Sequence, residues 1–296
     1  MCAQVSVVMA VKNESTYIEE AVHSILSQTG VDLEVIVVDD SSSDDTSEKV
    51  KRIAAVDHRL KLIENRGVGK VAAFNLGVAT VQGQFVCLFA GDDIMPLGSL
   101  RQRYLSVAKA HDNPPTVGLS KIETLSSVPR LNGVIVPRQK GVGNPSGQSP
   151  MMNREALRLL FPIPESLPNE DTWLEIALCH TALCEVTHSD VICCQWRIHD
   201  GNSYNYSLPH ADFKAKILKR RQAYALFFDH YKAELSADEK SNLEHLIELG
   251  RAYESTSYTK LFFCKAPLKE KLRLLASMSP GFYSLRGTLY SLFSGW

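Results

Sequence analysis

The chain predicts an α/β fold built on a mostly parallel sheet flanked by helices, with a helical extension at its C-terminal end. Three observations carry that expectation. Short apolar runs alternate with helix-period segments through residues 1–96. Val5–Val11, Leu33–Val38, Leu60–Ile63 and Phe85–Phe89 are such runs, and they read as strands, the last of them covered on both faces. Three of the runs end in polar clusters: Lys12-Asn13-Glu14, Asp39-Asp40 and, one turn beyond Phe89, Asp92-Asp93. In open parallel sheets, ligands bind outside the carboxyl ends of the strands.

The helices between these strands follow from spacing. Ile18, Ala21, Val22, Ile25 and Leu26 share one helical face, with Thr16-x-x-Glu19 as a capping box and Gly30 beyond the helix. A second helix starts near Asp44–Thr46 and carries Val50, Ile53 and Ala54. A third, Lys70–Thr80, turns Val71, Phe74 and Val78 inward after the glycine-bearing loop Asn65–Gly69. Leu97–His111 reads as an amphipathic helix with Leu100, Tyr104, Val107 and Ala108 on one side. Val117–Leu125 and Gly133–Val136 read as strands, and Gln139–Pro150 as a mobile loop beside the site. Met151–Leu160 reads as helix, Asn169–Ile176 as the start of another, and Val191–Asn202 as a strand running into a loop.

Composition narrows the class. The chain has 296 residues, 45% apolar and 22% charged, as in ordinary globular proteins. A net charge of −1 gives no argument for a nucleic-acid partner. The apolar pattern of a strand begins at Val5, which argues against a leader peptide, and no apolar run approaches the ~20 residues of a membrane span. Seven cysteines without CxxC spacing read as thiols in a reducing cytosol.

The strand ends carry the chemistry. Asp92 and Asp93 are hard oxygen donors suited to Mg²⁺ or Mn²⁺ and a phosphate-bearing substrate; equally, either could cap the following helix. No GxGxxG follows the first strand and no GxxxxGK[ST] occurs, so neither phosphate loop is present. Asp39 and Asp40 can accept hydrogen bonds from a base or ribose, beside Asn13 and Glu14. Glu170-Asp171 precedes a helix that buries Trp173, Leu174 and Ala177; the pair can cap that helix, and a carboxylate there can also deprotonate a hydroxyl.

Taken together, Val5–Asn13, Val37–Thr46 (VVDDSSSDDT), Lys70–Asn75 and Gly83–Pro96 resemble the family-two glycosyltransferases, over roughly residues 4–200. The resemblance implies a GT-A fold, a nucleotide-diphosphate sugar donor, a divalent metal (Mn²⁺ or Mg²⁺) and inverting transfer to a hydroxyl. It implies that Ala10 and Val11 flank the base and that Asp39 and Asp40 bind base and ribose. Lys70 would approach the pyrophosphate, Asp92 and Asp93 would hold the metal, and Asp171 would be the base with Glu170 as its orienting neighbour. Arg197 and His199 fall where the family often has R-x-H-x-x-N; Arg197 pairs with a phosphate or a carboxylate, and His199 offers a metal ligand, a diphosphate donor or a satisfied surface imidazole. Ala90 stands where the family usually has a further Asp, which removes one expected metal carboxylate.

Residues 1–205 are thus expected to form the transferase domain, with 1–96 on the donor side and 97–205 on the acceptor side, and 206–296 a helical region. Helices are predicted over Asp212–Tyr231, Asp238–Tyr253 and Leu268–Met278. Residues 256–296 hold six Lys/Arg and one acid among interleaved aromatics, which suits either peripheral contact with an anionic membrane or packing against protein. The expected setting is cytoplasmic, at the inner face of the membrane if that contact forms. The expected acceptor is an oligosaccharide or a lipid-linked sugar, as in bacterial surface polysaccharide synthesis. A sugar nucleotidyltransferase and a non-catalytic sugar-nucleotide binding module are the alternatives; the first fits Lys12–Thr16 (KNEST) poorly and the second is suggested by Ala90.

Overall fold

The computed structural model describes residues 4–66, 69–108, 114–199 and 208–285. These form two compact units: the first runs to Leu178 and adds Leu183–Ile198, and the second is Cys179–Ala182 with the residues from His199 onward. The expected boundary at 205–206 lies outside the described residues.

In the first unit the strands and helices alternate as β1 (Val5–Val11), α1 (Ile18–Leu26), β2 (Leu33–Asp40), α2 (Thr46–Ala54), β3 (Leu60–Asn65), α3 (Lys70–Val78), β4 (Phe85–Phe89) and α4 (Ser99–Val107). β1 lies between β2 and β4, parallel to both, and β3 adds in parallel to β2. The sheet buries Val5, Val7 and Met9 of β1 with Val35 and Val37 of β2 and Cys87 and Phe89 of β4 in the core. Apolar residues on both faces of β1, β2 and β4 are what a sheet covered on two sides requires. α3 approaches closely through Gly77, where a Cβ would sit 2.5 Å from Val8 Cγ1.

The register puts the polar strand ends on one edge. Val11 pairs with Asp39, and Asp39 and Asp40 pair with Glu64 and Asn65. The sheet continues through β5 (Thr116–Leu125), β6 (Ile135–Val136), β7 (Met151–Asn153) and β8 (Glu185–Arg197) in the order β3-β2-β1-β4-β7-β5-β6, with β8 beside β5. α5 (Arg154–Leu160) and α6 (Asp171–His180) complete the helices that begin in this unit.

Several local expectations are corrected. Met151–Asn153 is a buried strand, not the first turn of a helix, because it fills the gap between β4 and β5. Asn153 then caps α5 by accepting from Ala156 N. Thr16 forms no capping box; Tyr17 precedes α1 without a side-chain cap. β8 begins at Glu185, six residues before the apolar run, because its first half alternates polar side chains while pairing with β5.

In the second unit the described elements are α7 (His210–Tyr231), α8 (Ala237–Glu254), α9 (Tyr258–Phe263) and α10 (Leu268–Leu275). Ser236 and Glu239 form a reciprocal capping box at the start of α8. Leu243, Leu246, Leu249 and Tyr253 of α8 are buried with Tyr224, Phe227 and Tyr231 of α7. No helix among the described residues is long and apolar enough to cross a membrane.

Candidate active site

The carboxyl ends of β1, β2 and β4 form the floor of the site. Ala10 is partly exposed and Val11 buried at the end of β1. Asn13 takes a left-handed backbone at φ 57, which lets its N–H reach Ser42 Oγ at 2.9 Å while Ser43 N donates to its Oδ1 at 2.8 Å. The loop after β2 is thereby tied to the loop after β1. Asp44 strengthens the tie by accepting from Ser15 N at 3.1 Å and Thr46 N at 3.0 Å. Burial opposes the charge on Asp44, but the Thr46 hydroxyl, then the Thr46 N–H and Ser15, outweigh it and hold the carboxyl down to about 2.

Asp39 and Asp40 are both buried. Asp39 accepts from the Ser42 hydroxyl and its N–H, so part of its capacity closes its own turn. Asp40 Oδ1 accepts from Asn65 Nδ2 at 2.8 Å and Gly69 N at 3.2 Å, and Lys12 Nζ lies 3.6 Å from Oδ2. Gly69, at φ 110, gives Asp40 a backbone donor in a conformation that side chains rarely adopt.

Asp92 and Asp93 diverge. Asp93 is 1% exposed. Its Oδ1 accepts from Arg197 N at 2.7 Å and its Oδ2 from the Gln148 side-chain amide. Burial, then the neighbouring Asp92, pushes its pKa well up. Asp93 therefore joins β4 to β8 and to the 139–150 segment inside the protein. Asp92, partly exposed, is the carboxylate presented at the strand end. Arg197 is held at the same place: its Nε donates to Asp92 O at 2.8 Å, its Nη2 pairs with Glu20 at 2.7 Å, and its guanidinium lies 4.5 Å from the Tyr17 ring centre. Of the two partners expected for Arg197, the structure supplies the carboxylate.

Lys70, at the start of α3, brings the two halves of the unit together. Its Nζ pairs with Glu170 Oε1 at 2.9 Å, and its side chain is 44% exposed against 4% for Glu170. Burial works against the Lys70 charge, yet Glu170, Asp171 and Asp92 more than compensate and raise its pKa. Glu14 also acts on this ammonium, and its own pKa rises to about 7 through burial and then repulsion from Asp92 and Asp44. The Lys70 ammonium thus pairs directly with Glu170 and feels the charges of Asp171, Asp92 and Glu14.

Glu170 Oε2 is buried and has no hydrogen-bond partner. Burial raises the Glu170 pKa, with Lys70 acting in the opposite sense. Asp171 opens α6, which is anchored by buried Trp173, Leu174, Ile176 and Ala177. Its carboxylate accepts from Gly147 N at 2.9 Å and Asn169 Nδ2 at 3.1 Å. Both donors orient it and leave it partly exposed.

The 139–150 segment is not loose where it meets the site. Gln148 is 9% exposed and Ser149 fully buried. Gly147 holds Asp171, and Gln148 holds Asp93 while accepting from Cys194 Sγ at 2.9 Å. Arg103 of α4, 1% exposed, donates to Gln148 O at 2.8 Å and Ser149 O at 2.9 Å. Gln148 and Arg103 were not singled out from the sequence; their only signal is an amide in a Gly/Ser/Pro stretch and a cation on the inner side of a helix.

Hard carboxylate oxygens at a strand end suit a divalent cation held jointly with substrate phosphates. Asp92, partly exposed at the strand end, offers such an oxygen, whereas Asp93 is engaged internally by Arg197 N and Gln148. Among the described residues no three His, Cys, Asp or Glu side chains converge as a ready-made cage. His199 belongs to the second unit.

The model of glycosyl transferase family 2 matches residues 6–117. An uncharacterized glycosyltransferase of Haemophilus influenzae is 35% identical over 94 residues, 31% of this chain and 29% of its own length. Glycosyltransferase GlyG of Streptococcus pneumoniae is 32% identical over 109 residues, 36% of either chain. The chain thus spans about a third of the length of these curated relatives. Residues 1–349 of S. aureus TarS superpose with a TM-score of 0.60 at 19% identity, covering 93% of this chain and 80% of that one. A mannosyltransferase, PcManGT from Pyrobaculum calidifontis in complex with GDP-Man and Mn²⁺, gives 0.53 at 20% identity, covering 99% and 81%. The fold is of the GT-A kind, and residues 6–117, which hold β1 to β4 and their acidic strand ends, match the glycosyl transferase family 2 model.

Proposed function

We propose that the first unit binds a nucleotide-diphosphate sugar at this edge and transfers the sugar, with inversion, to an acceptor hydroxyl. The observation that carries the reading is the Lys70–Glu170 pair. It joins the start of α3, beside the acidic strand ends, to the residue that precedes α6. Donor-side and acceptor-side groups then share one centre. Asp39 and Asp40 offer acceptors for base and ribose beside Ala10, Val11 and Asn13. The Lys70 ammonium and the N–H groups at the start of α3 favour a diphosphate.

In the transfer, Asp171 takes the proton of the acceptor hydroxyl as its oxygen bonds to the anomeric carbon. The bond from that carbon to the diphosphate oxygen breaks on the opposite face, and the nucleotide diphosphate leaves with the electron pair. Lys70 faces the charge that develops there. A divalent cation at Asp92 would neutralise more of it. Glu170 keeps Lys70 in place, and Gly147 and Asn169 keep Asp171 aimed.

A solved TarS structure holds UDP-GlcNAc, and the mannosyltransferase holds GDP-Man with Mn²⁺. These support a nucleotide sugar as donor and a divalent metal as cofactor here. A role in surface polysaccharide synthesis, with an oligosaccharide or lipid-linked acceptor, rests on the same kinship. The proposed division of labour gives residues 1–205 to transfer and 206–296 to placement of the enzyme.

The test is a thermal-shift series with UDP, GDP and their sugars, in Mn²⁺ and in chelator. A ligand that binds only the folded state raises Tm. One nucleotide diphosphate should raise it more in Mn²⁺, and Asp92→Ala should remove the Mn²⁺-dependent part. Equal shifts in Mn²⁺ and chelator would contradict the metal-assisted reading.

A further inference from the structure

Seven of the thirteen exposed large apolar residues among the described ones fall within residues 258–285. They are concentrated where α9 meets α10. Leu261 and Ala266 point inward and anchor this corner, at 3% and 5% exposure. Phe262 and Phe263 point out at 73% and 78%, their rings edge to face with centres 5.3 Å apart. On α10, Leu274 is buried while Leu268 and Leu272, one turn apart, are 70% and 54% exposed. Lys271 Nζ donates to Phe262 O at 2.9 Å, so the apolar row of α10 and the ring pair are held at one corner.

The charges of the segment itself are nearly all of one sign. Residues 256–285 carry Lys260, Lys265, Lys269, Lys271 and Arg273 against a single acid, Glu270. That acid is only 15% exposed and lies 3.9 Å from Arg273 and 4.0 Å from Arg221. The whole chain, by contrast, is at −1. Adjacent exposed phenyl rings are costly in water. A second copy of the same face would set these cations against their own kind. An anionic plane meets both demands: rings enter at headgroup depth, and lysine stems lie along the apolar surface with their ammonium groups outward.

We propose that the α9–α10 corner docks on an anionic lipid bilayer, with Phe262, Phe263, Leu268 and Leu272 as the inserted side chains and Lys260, Lys265 and Lys269 against the headgroups. This narrows the membrane contact expected of residues 256–296 to one corner of the second unit, and it holds whether or not the first unit transfers sugar.

The experiment is co-sedimentation of the full chain with vesicles of phosphatidylcholine alone and of phosphatidylcholine mixed with phosphatidylglycerol. The wild type should pellet with the mixed vesicles at low salt and be released as salt screens the lysines. Phe262→Ser/Phe263→Ser should weaken binding at least about tenfold with Tm unchanged, since both rings are already exposed. Lys265→Ala/Lys269→Ala should weaken it about thirtyfold, at about fivefold per lysine near the surface. No pelleting of the wild type with mixed vesicles at low salt would overturn the proposal. So would unchanged pelleting of both variants, or self-association in sedimentation velocity that the serine variant abolishes while neither protein binds vesicles.

Discussion

Lys70 and Glu170 are unequal partners, and the inequality sets what each substitution does. Glu170 is buried with one oxygen unpaired, while Lys70 is 44% exposed. Lys70→Met strands a buried carboxyl without its cation, whereas Glu170→Gln removes a buried charge and keeps the shape. Lys70→Met should therefore lower Tm more than Glu170→Gln, read by thermal denaturation at neutral pH. A second carboxylate, Glu34, acts far from the chemistry. It accepts from Ser6 Oγ at 2.6 Å, from the N–H groups of Gln82 and Gly83, and from Lys61 Nζ at 3.3 Å. Burial would raise its pKa, but Ser6, Gln82 and Lys61 outweigh burial and lower it. A carboxyl lowered on folding contributes stability that is present above its unfolded pKa and lost as pH falls through the folded one. Glu34→Gln should cost about 1–3 kcal/mol in urea denaturation at pH 7, and the difference from wild type should shrink as the solution is acidified through the carboxylate range.

Among the elements, α3 and the 139–150 segment have opposite lessons. Helix propensity alone makes Gly77→Ala favourable by about 1 kcal/mol. The new Cβ would meet Val8 Cγ1 at 2.5 Å and Val38 Cγ2 at 3.0 Å, and overpacking of a close-packed sheet typically costs about 1–3 kcal/mol. The clash wins, so Gly77→Ala should lower Tm; a gain would mean α3 does not lie this close to the sheet. In the 139–150 segment, Gln148→Ala should leave Asp93 without its amide donor and free the chain that carries Gly147. Weaker donor binding in Mn²⁺ and a lower turnover should follow together, measured by titration and by steady-state assay. The helices and parallel strands were legible because apolar spacing is local. What Gln148 and Arg103 do was not legible, because each acts on a partner 45 to 55 residues away. β7 escaped for another reason: three residues are too few to show a period.

At the scale of the whole molecule, the acidic strand ends and the start of α6 were both readable in the sequence as places, since each follows a strand or precedes a helix. Their meeting was not, because it depends on Lys70 reaching Glu170 across 100 positions of chain. The same limit hid the division of Asp92 from Asp93, which look alike in sequence and face differently in the fold. In the proposed function, the strand-edge site and Asp171 act as one transfer centre. Asp171→Asn tests this most directly, because Asn keeps the shape at the start of α6 and its side-chain oxygen can still accept from Gly147 N. The measurement is turnover of the nucleotide sugar that stabilises the protein, with donor affinity and Tm taken on the same samples. Turnover should fall about 10²–10⁴-fold with affinity and Tm near wild type; wild-type turnover in Asp171→Asn would rule Asp171 out as the base.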